Sequence, residues 1–226
     1  PTVPLAECVA ASSAFPPFLS PVSIELDPRS FTPGSGLDLQ SSPFTSEAVL
    51  TDGGVYDNLG LETVWKRCRT VLVSDGGGKM EAEAEPRHNW GGHIVRVLHI
   101  IDNQVRSVRK RQLIDSYIHG ERTGAYWGIR TDIRKYGLPD PLPCDPQKTD
   151  ELARIDTRLA ALSDAQQERL IDWGYAVCDA ALRRHVAAFL PTPPPRPAFP
   201  YGGTGVAGAP PTVVPSAVSP PSGAPA

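Results

Sequence analysis

The sequence predicts an α/β fold with a parallel sheet, followed by a helical region. Three observations carry that expectation. Two short apolar runs, Ala48-Val49-Leu50-Thr51 and Thr70-Val71-Leu72-Val73-Ser74, each end in an aspartate–glycine turn. Between them Leu61, Val64 and Trp65 share a helical face, and strand, turn, helix, strand is the order of a parallel α/β unit. Beyond residue 90 the apolar residues recur every three or four positions. With 226 residues, 40% of them hydrophobic, the chain can build one cored domain, or a domain plus a tail.

The elements follow in order. Ala10-Ala11-Ser12-Ser13-Ala14 is a small-residue run suited to a closely packed helix, and Pro16-Pro17 stop it. Val22-Ser23-Ile24-Glu25-Leu26 alternates apolar and polar and predicts a strand. Residues 27–46, rich in Pro, Gly and Ser, predict an irregular insertion. A strand over 48–51, a helix over 61–67 and a strand over 70–74 come next; their near-continuous apolar character implies burial on both sheet faces. Residues 79–90 predict a mobile loop bearing Glu81, Glu83 and Glu85. A long helix is expected over about 91–118, with Ile94, Val97, Leu98, Ile101, Val105 and Val108 on its stripe. Residues 123–130 predict a strand, 137–147 a proline-broken loop, and 149–161 a helix on Leu152, Ile155 and Leu159. The last helix starts at Ser163, which with Gln166 completes a capping box, and follows Leu170, Val177, Ala181, Leu182 and Val186 to about 189. Residues 191–226 hold Pro, Gly, Ala, Val and Ser with one charge, Arg196, and are expected to be a disordered tail. The organisation expected is an α/β portion over 1–78, a helical extension packed on it over 79–190, and the tail over 191–226.

Composition excludes several classes. Net charge is 22 − 25 = −3, against the clear basicity of a dedicated nucleic-acid binder. No run of 18 apolar residues predicts a membrane span. Cys8, Cys68, Cys144 and Cys178 form no C-x-x-C pair, and His88, His93, His99, His119 and His185 form no H-E-x-x-H pattern, so neither metal nor cofactor is expected. The cysteines read as mostly buried thiols of a reducing compartment, which favours the cytoplasm and leaves the compartment otherwise open.

The richest chemistry lies in Thr51-Asp52-Gly53-Gly54-Val55-Tyr56-Asp57-Asn58-Leu59-Gly60. Asp52 stands where a strand should end, the place where parallel sheets gather functional groups. Two readings are open there. The carboxylate bonds its own turn, or it accepts a proton from a neighbouring hydroxyl. Ser74-Asp75-Gly76-Gly77-Gly78 lacks the phosphate-loop frame, since Lys79 follows directly and Met80 stands where Ser or Thr is needed. It reads as a strand-end turn, with Asp75 bordering a cleft by position alone. Arg106, Arg109, Lys110 and Arg111 form either a solvated helix face or a contact with anionic lipid, worth ~1 kcal/mol per basic residue. Pro191-Thr192-Pro193-Pro194 is a loose polyproline ligand or part of an inert tail.

Two of these segments together resemble the patatin-like phospholipases, a family of lipid acyl hydrolases. Ala11-Ser12-Ser13-Ala14-Phe15-Pro16-Pro17-Phe18 looks like the family's A-S-x-A-x-P segment. Thr51-Asp52-Gly53-Gly54-Val55 with Asn58 looks like its D-G-[GA] motif, with Leu59 where the family usually has proline. The resemblance covers about residues 5–78 and implies part of a three-layer α/β/α sandwich with a mostly parallel sheet. It also implies a serine–aspartate dyad, in which Asp52 serves the serine that attacks a lipid or acyl ester, supported by Gly53, Gly54 and Asn58. The serine should come from a G-x-S-x-G elbow, and no serine of this chain has glycine at both −2 and +2. The chain also opens on Pro1, and Met80 is its only methionine. The expectation is therefore a fragment lacking the elbow half, nearly inactive alone and prone to aggregate through uncovered apolar surface. The competing expectation is a catalytically inactive α/β fragment or pseudoenzyme that binds lipid or protein.

Overall fold

The computed structural model describes residues 3–156, 160–192 and 195–208. Among them it is a mixed α/β structure of six helices and two short sheets. The helices are α1 (Leu5–Ser12), α2 (Gly54–Asp57), α3 (Leu61–Trp65), α4 (Trp90–Ile118), α5 (Pro146–Leu152) and α6 (Asp164–His185). The strands are β1 (Val22–Glu25), β2 (Glu47–Leu50), β3 (Thr70–Asp75) and β4 (Thr123–Gly128). The chain forms two compact units, one of Pro1–Lys66 with Met80–Arg111, the other of Arg67–Lys79 with Gln112–Ala226.

In the first unit β1 and β2 pair antiparallel, from Val22 opposite Leu50 to Glu25 opposite Glu47. The parallel expectation therefore does not extend to these strands. The intervening segment returns the chain beside β1 through two 3₁₀ turns, Pro28–Ser30 and Leu37–Leu39, without a crossover helix. The Asp27 carboxylate accepts from the Arg29 N–H to start the first turn. Burial here is sparse: among the described residues Ala11, Ala14, Ile24, Thr45 and Leu61 are those below a tenth exposed.

In the second unit β3 and β4 pair in parallel, with Thr70 opposite Thr123 and Asp75 opposite Gly128. Gly124 makes that pairing sterically feasible. Its φ is +144°, and a Cβ there would lie 1.8 Å from the Val71 carbonyl oxygen, so only glycine fits. The end of α4 supports the strand from one side, where the Tyr117 hydroxyl donates to the Val71 carbonyl at 2.6 Å. Burial pushes that phenol up to about 12.

Burial along β3 alternates, with Val71, Val73 and Asp75 inside and Thr70, Leu72 and Ser74 outside. This corrects the expectation of burial on both faces. An apolar run sets the capacity for burial, but the layer packed against it decides which face is covered, and Leu72 stays 49% exposed.

The core of this unit joins Ala125, Ile133, Tyr136, Cys144, Leu152, Trp173, Ala176, Val177, Ala180, Ala181, Val186 and Val206. Helix α6 supplies five of these, Trp173, Ala176, Val177, Ala180 and Ala181, more than any other element. Ser163 accepts from the Gln166 N–H and Gln166 reaches back to the Ser163 N–H, so the expected capping box is present. Arg183, Arg184 and His185 occupy its last turn, where cations complement the helix dipole. Helix α5 starts and ends earlier than the 149–161 expected. Asp145 caps it by accepting from the Gln147 N–H, Pro146 takes the first position, and the helix closes at Leu152.

The expected disorder of 191–226 needs the largest correction. Residues 193–194 and 209–226, with half of the P-x-x-P segment, lie outside the described residues. Residues 195–208, in contrast, are placed against the core. Val206 is fully buried. The buried Asp172 carboxylate accepts the Tyr201 N–H at 2.7 Å and the Gly203 N–H at 2.8 Å. Lys148 Nζ donates to the Ala207 carbonyl, and Arg169 Nε to that of Gly205. The composition argument counted only the segment's own side chains, whereas its backbone groups are satisfied by Asp172, Lys148 and Arg169.

Candidate functional site

In the first unit the aspartate–glycine motif bridges β2 and α2. The Asp52 N–H donates to the Ala14 carbonyl at 2.9 Å. The Thr51 hydroxyl donates to the same oxygen at 3.3 Å, and the Ser20 hydroxyl donates to Thr51 Oγ1 at 2.9 Å. Residues 14–20 and 51–52, distant in sequence, are thus held together.

The Asp52 side chain folds over its own turn. Oδ1 accepts the Gly54 N–H at 2.6 Å. No hydrogen bond to Oδ2 is found among the described residues, and Asp52 is half-buried. Gly54 is sterically required. A Cβ on it would lie 2.9 Å from Asp52 Oδ1 and 3.1 Å from Asn58 Oδ1. Asp52, Gly54 and Asn58 therefore converge, while Gly53 is exposed with open space where a side chain would stand. The next acid, Asp57, caps α3 through Oδ2, which accepts the Glu62 N–H at 2.6 Å. Its other oxygen is buried without a partner among the described residues.

The basic cluster on α4 is partly committed to the protein. Arg109 pairs with Glu62 at 3.3 Å, and Lys66 pairs with the same carboxylate at 2.7 Å. The Lys66 ammonium, and more weakly Arg109, hold the Glu62 carboxyl below its ordinary value. Arg106 donates to Asn103 Oδ1 at 3.4 Å. Arg111 is exposed and Lys110 half-buried. Of the expected apolar stripe on the same helix, Ile94, Val97, Leu98, Ile101 and Val108 are each more than a third exposed and Val105 is half-buried.

In the second unit Asp75 sits at the carboxyl end of β3, 7% exposed. Oδ1 accepts the Gly77 N–H at 2.9 Å and Oδ2 accepts the Tyr126 hydroxyl at 2.6 Å. Beside it opens a cavity of about 440 Å³ lined by the ends of β3 and β4 and one face of α6. Sequence reasoning placed Asp75 near a cleft but missed Tyr126, because the β3–β4 register that brings the two together is a tertiary fact. It also missed Asp172. A signal existed there: Asp172 shares the helical face of Ala176 and Ala180, and an acid on a core-facing stripe calls for buried donors.

Two of the four cysteines, Cys8 and Cys68, are exposed, whereas Cys144 is buried and Cys178 half-buried. The expected mostly buried set is therefore corrected: Cys144 alone of the four is buried, and Cys68 is exposed although it belongs to the better-packed unit. Burial pushes the Cys144 thiol up to about 12, with the Asp172 charge adding to the effect. No group of three or more His, Cys, Asp or Glu side chains among the described residues is placed to hold a metal ion. No described helix is long and apolar enough to cross a membrane. No protein-family model, curated protein or solved structure matches the chain.

Proposed function

We propose that this chain is the aspartate-bearing part of a patatin-like serine acyl hydrolase acting on lipid or simple acyl esters. In this reading the α/β portion belongs to a three-layer sandwich, and polypeptide outside this chain provides the serine. One observation carries it. The two family-like segments meet at a single atom, the Ala14 carbonyl oxygen, which accepts from both Thr51 and Asp52.

The chemistry follows from Asp52. The Gly54 N–H pins Oδ1 and so fixes the side-chain rotamer, leaving Oδ2 to receive a proton. In the first half-reaction Oδ2 takes the proton of the serine hydroxyl as its oxygen bonds to the ester carbonyl carbon. The ester C–O bond breaks, and Asp52 returns the proton to the departing alcohol. In the second half-reaction Asp52 takes a proton from water, whose oxygen attacks the acyl-enzyme. The serine leaves with that proton, and the fatty acid is released. Bare Gly54 leaves room for the Asp52 carboxylate and the Asn58 side chain beside it.

The test joins the chain to a segment carrying a G-x-S-x-G serine and follows hydrolysis of a p-nitrophenyl ester. Asp52→Asn should lower turnover by about 10²-fold or more, the usual worth of a positioned base, with an unchanged circular dichroism spectrum. The chain alone should show little hydrolysis. Full activity in the Asp52→Asn protein would remove Asp52 from the mechanism and favour the reading as an inactive binding fragment.

A further inference from the structure

We infer that the second unit offers the free edge of β3 as an interaction surface, and that the partner it fits is β3 of a second copy of this chain, paired antiparallel about a two-fold axis at Leu72. Neither the edge nor its partner depends on the role of Asp52.

The edge follows from the ladder. The Thr123 N–H donates to the Arg69 carbonyl, and the Ile129 N–H to the Asp75 carbonyl. Bonds of a parallel ladder are evenly spaced along the strand, so the backbone groups of Val71 and Val73 also point at β4. Those of Thr70, Leu72 and Ser74 point the other way. No hydrogen bond to these outward groups is found among the described residues, and β4 is the one described element in extensive contact with β3. Thr70, Leu72 and Ser74 are all exposed. Backbone N–H and C=O groups left in this state are a template for another strand.

The other strand edges are capped or charged. On the far side of β4 the Tyr126 carbonyl accepts the Tyr136 hydroxyl at 3.1 Å, and the Gly128 N–H donates to Thr131 Oγ1 at 2.9 Å. In the first unit the Leu26 N–H donates to the Ser46 carbonyl. With the register, that bond turns the backbones of Ser23 and Glu25 outward on β1, and those of Glu47 and Val49 outward on β2. Each of these edges therefore carries a glutamate. Charges, prolines and bulges are what keep natural edges from pairing. Thr70-Val71-Leu72-Val73-Ser74 holds no charge and no proline, and its register with β4 runs without interruption.

The pattern selects its occupant because it is complementary to itself. With two β3 strands antiparallel about Leu72, the two Leu72 residues stand opposite each other, and Thr70 of each copy stands opposite Ser74 of the other. These are the outward-facing residues, so each opposed pair exchanges two bonds, about six in all. Their side chains share the exposed face of β3, where the two leucines pack as a cross-strand pair. The joined sheet runs β4–β3–β3–β4. Its outer edges are the capped edges of β4, so assembly closes at two copies instead of continuing as a filament.

Sedimentation velocity of the full chain over about a hundredfold range of concentration should show a reversible monomer–dimer equilibrium. Amide exchange should slow at Thr70, Leu72 and Ser74 as the dimer forms, while Val71 and Val73, bonded to β4, stay protected throughout. Leu72→Lys sets like charges opposite each other and should weaken the dimer by about tenfold or more. Leu72→Pro removes the outward N–H, leaves the β4 ladder intact and should weaken it further. An unchanged circular dichroism spectrum shows that each variant folds. Val49→Lys, on the outward edge of β2, should dimerise as the unaltered chain does. A monomer at every concentration overturns the inference and leaves the β3 edge to a strand from polypeptide outside this chain. A dimer undiminished in both Leu72 variants, or lost equally in Val49→Lys, overturns it too. So does a dimer whose three outward amides exchange as fast as in the monomer, or open-ended aggregation in place of a dimer.

Discussion

The two units divide the properties of this chain unevenly. The second has a contiguous core in which Ala176, Ala180, Ala181 and Val206 reach complete burial. The first carries the aspartate–glycine motif but leaves Leu5, Phe18, Leu37 and Trp90 each at 79% exposed or more. The contrast teaches that the segment with the proposed catalytic aspartate and the segment with the packing are different parts of the molecule. The motif keeps its local geometry through a few hydrogen bonds, Asp52 to Gly54 and Thr51 to Ala14, while apolar burial is concentrated around α6.

The sharpest way to break this comparison is to remove one large side chain from each unit. Trp173 is 2% exposed and its indole N–H donates to the Ile129 carbonyl at 2.9 Å. Trp173→Ala should cost about 3–5 kcal/mol in denaturant unfolding. Phe18→Ala, at a residue 85% exposed, should change stability by less than about 0.5 kcal/mol. Equal losses would mean that the first unit is as well packed as the second.

A second test addresses the docked segment of residues 195–208. Asp172→Ala leaves the Tyr201 and Gly203 N–H groups without their acceptor, at about 1–3 kcal/mol for an unsatisfied buried group. Limited proteolysis should then cut near Tyr201 much faster than in the unaltered chain, before α6 is cleaved. An unchanged cleavage rate would show that Asp172 does not hold the segment.

The smallest expected effect concerns pH. Burial raises Tyr117 and Tyr136 to about 12 from an ordinary value of 10.0. Raised folded-state values favour the neutral phenols, so their contribution to stability is complete below about pH 10 and is lost as pH rises toward 12. Ultraviolet titration should therefore show late ionisation of Tyr117 and Tyr136, with stability declining across the same interval. Ionisation of every tyrosine near pH 10 in folded protein would contradict the burial at these positions.

Much of the local structure was legible without coordinates. The α6 capping box, the span of α4 and the strands at 22–25, 47–50 and 70–75 follow from periodicity and capping chemistry, which depend on near neighbours in the chain. The motif around Asp52 could be found, but its tie to Ala14 could not, because that bond joins residues with no local relation. The antiparallel pairing of β1 with β2 escaped for the same reason. So did the packing of residues 195–208, whose composition argues for disorder until Asp172 and its neighbours are counted.

What the chain's sequence determines by itself is therefore short-range: where helices begin, where strands halt, and which carboxylate stands at a strand end. Tertiary structure alone decided which faces are covered, that Tyr126 reaches Asp75, that a cavity opens beside them, and that a proline-rich segment packs. Helix capping and side-chain periodicity act over a few residues, and the pattern of residue types records them directly. Register and burial arise when distant segments meet, and their energies depend on partners that no local window of sequence contains.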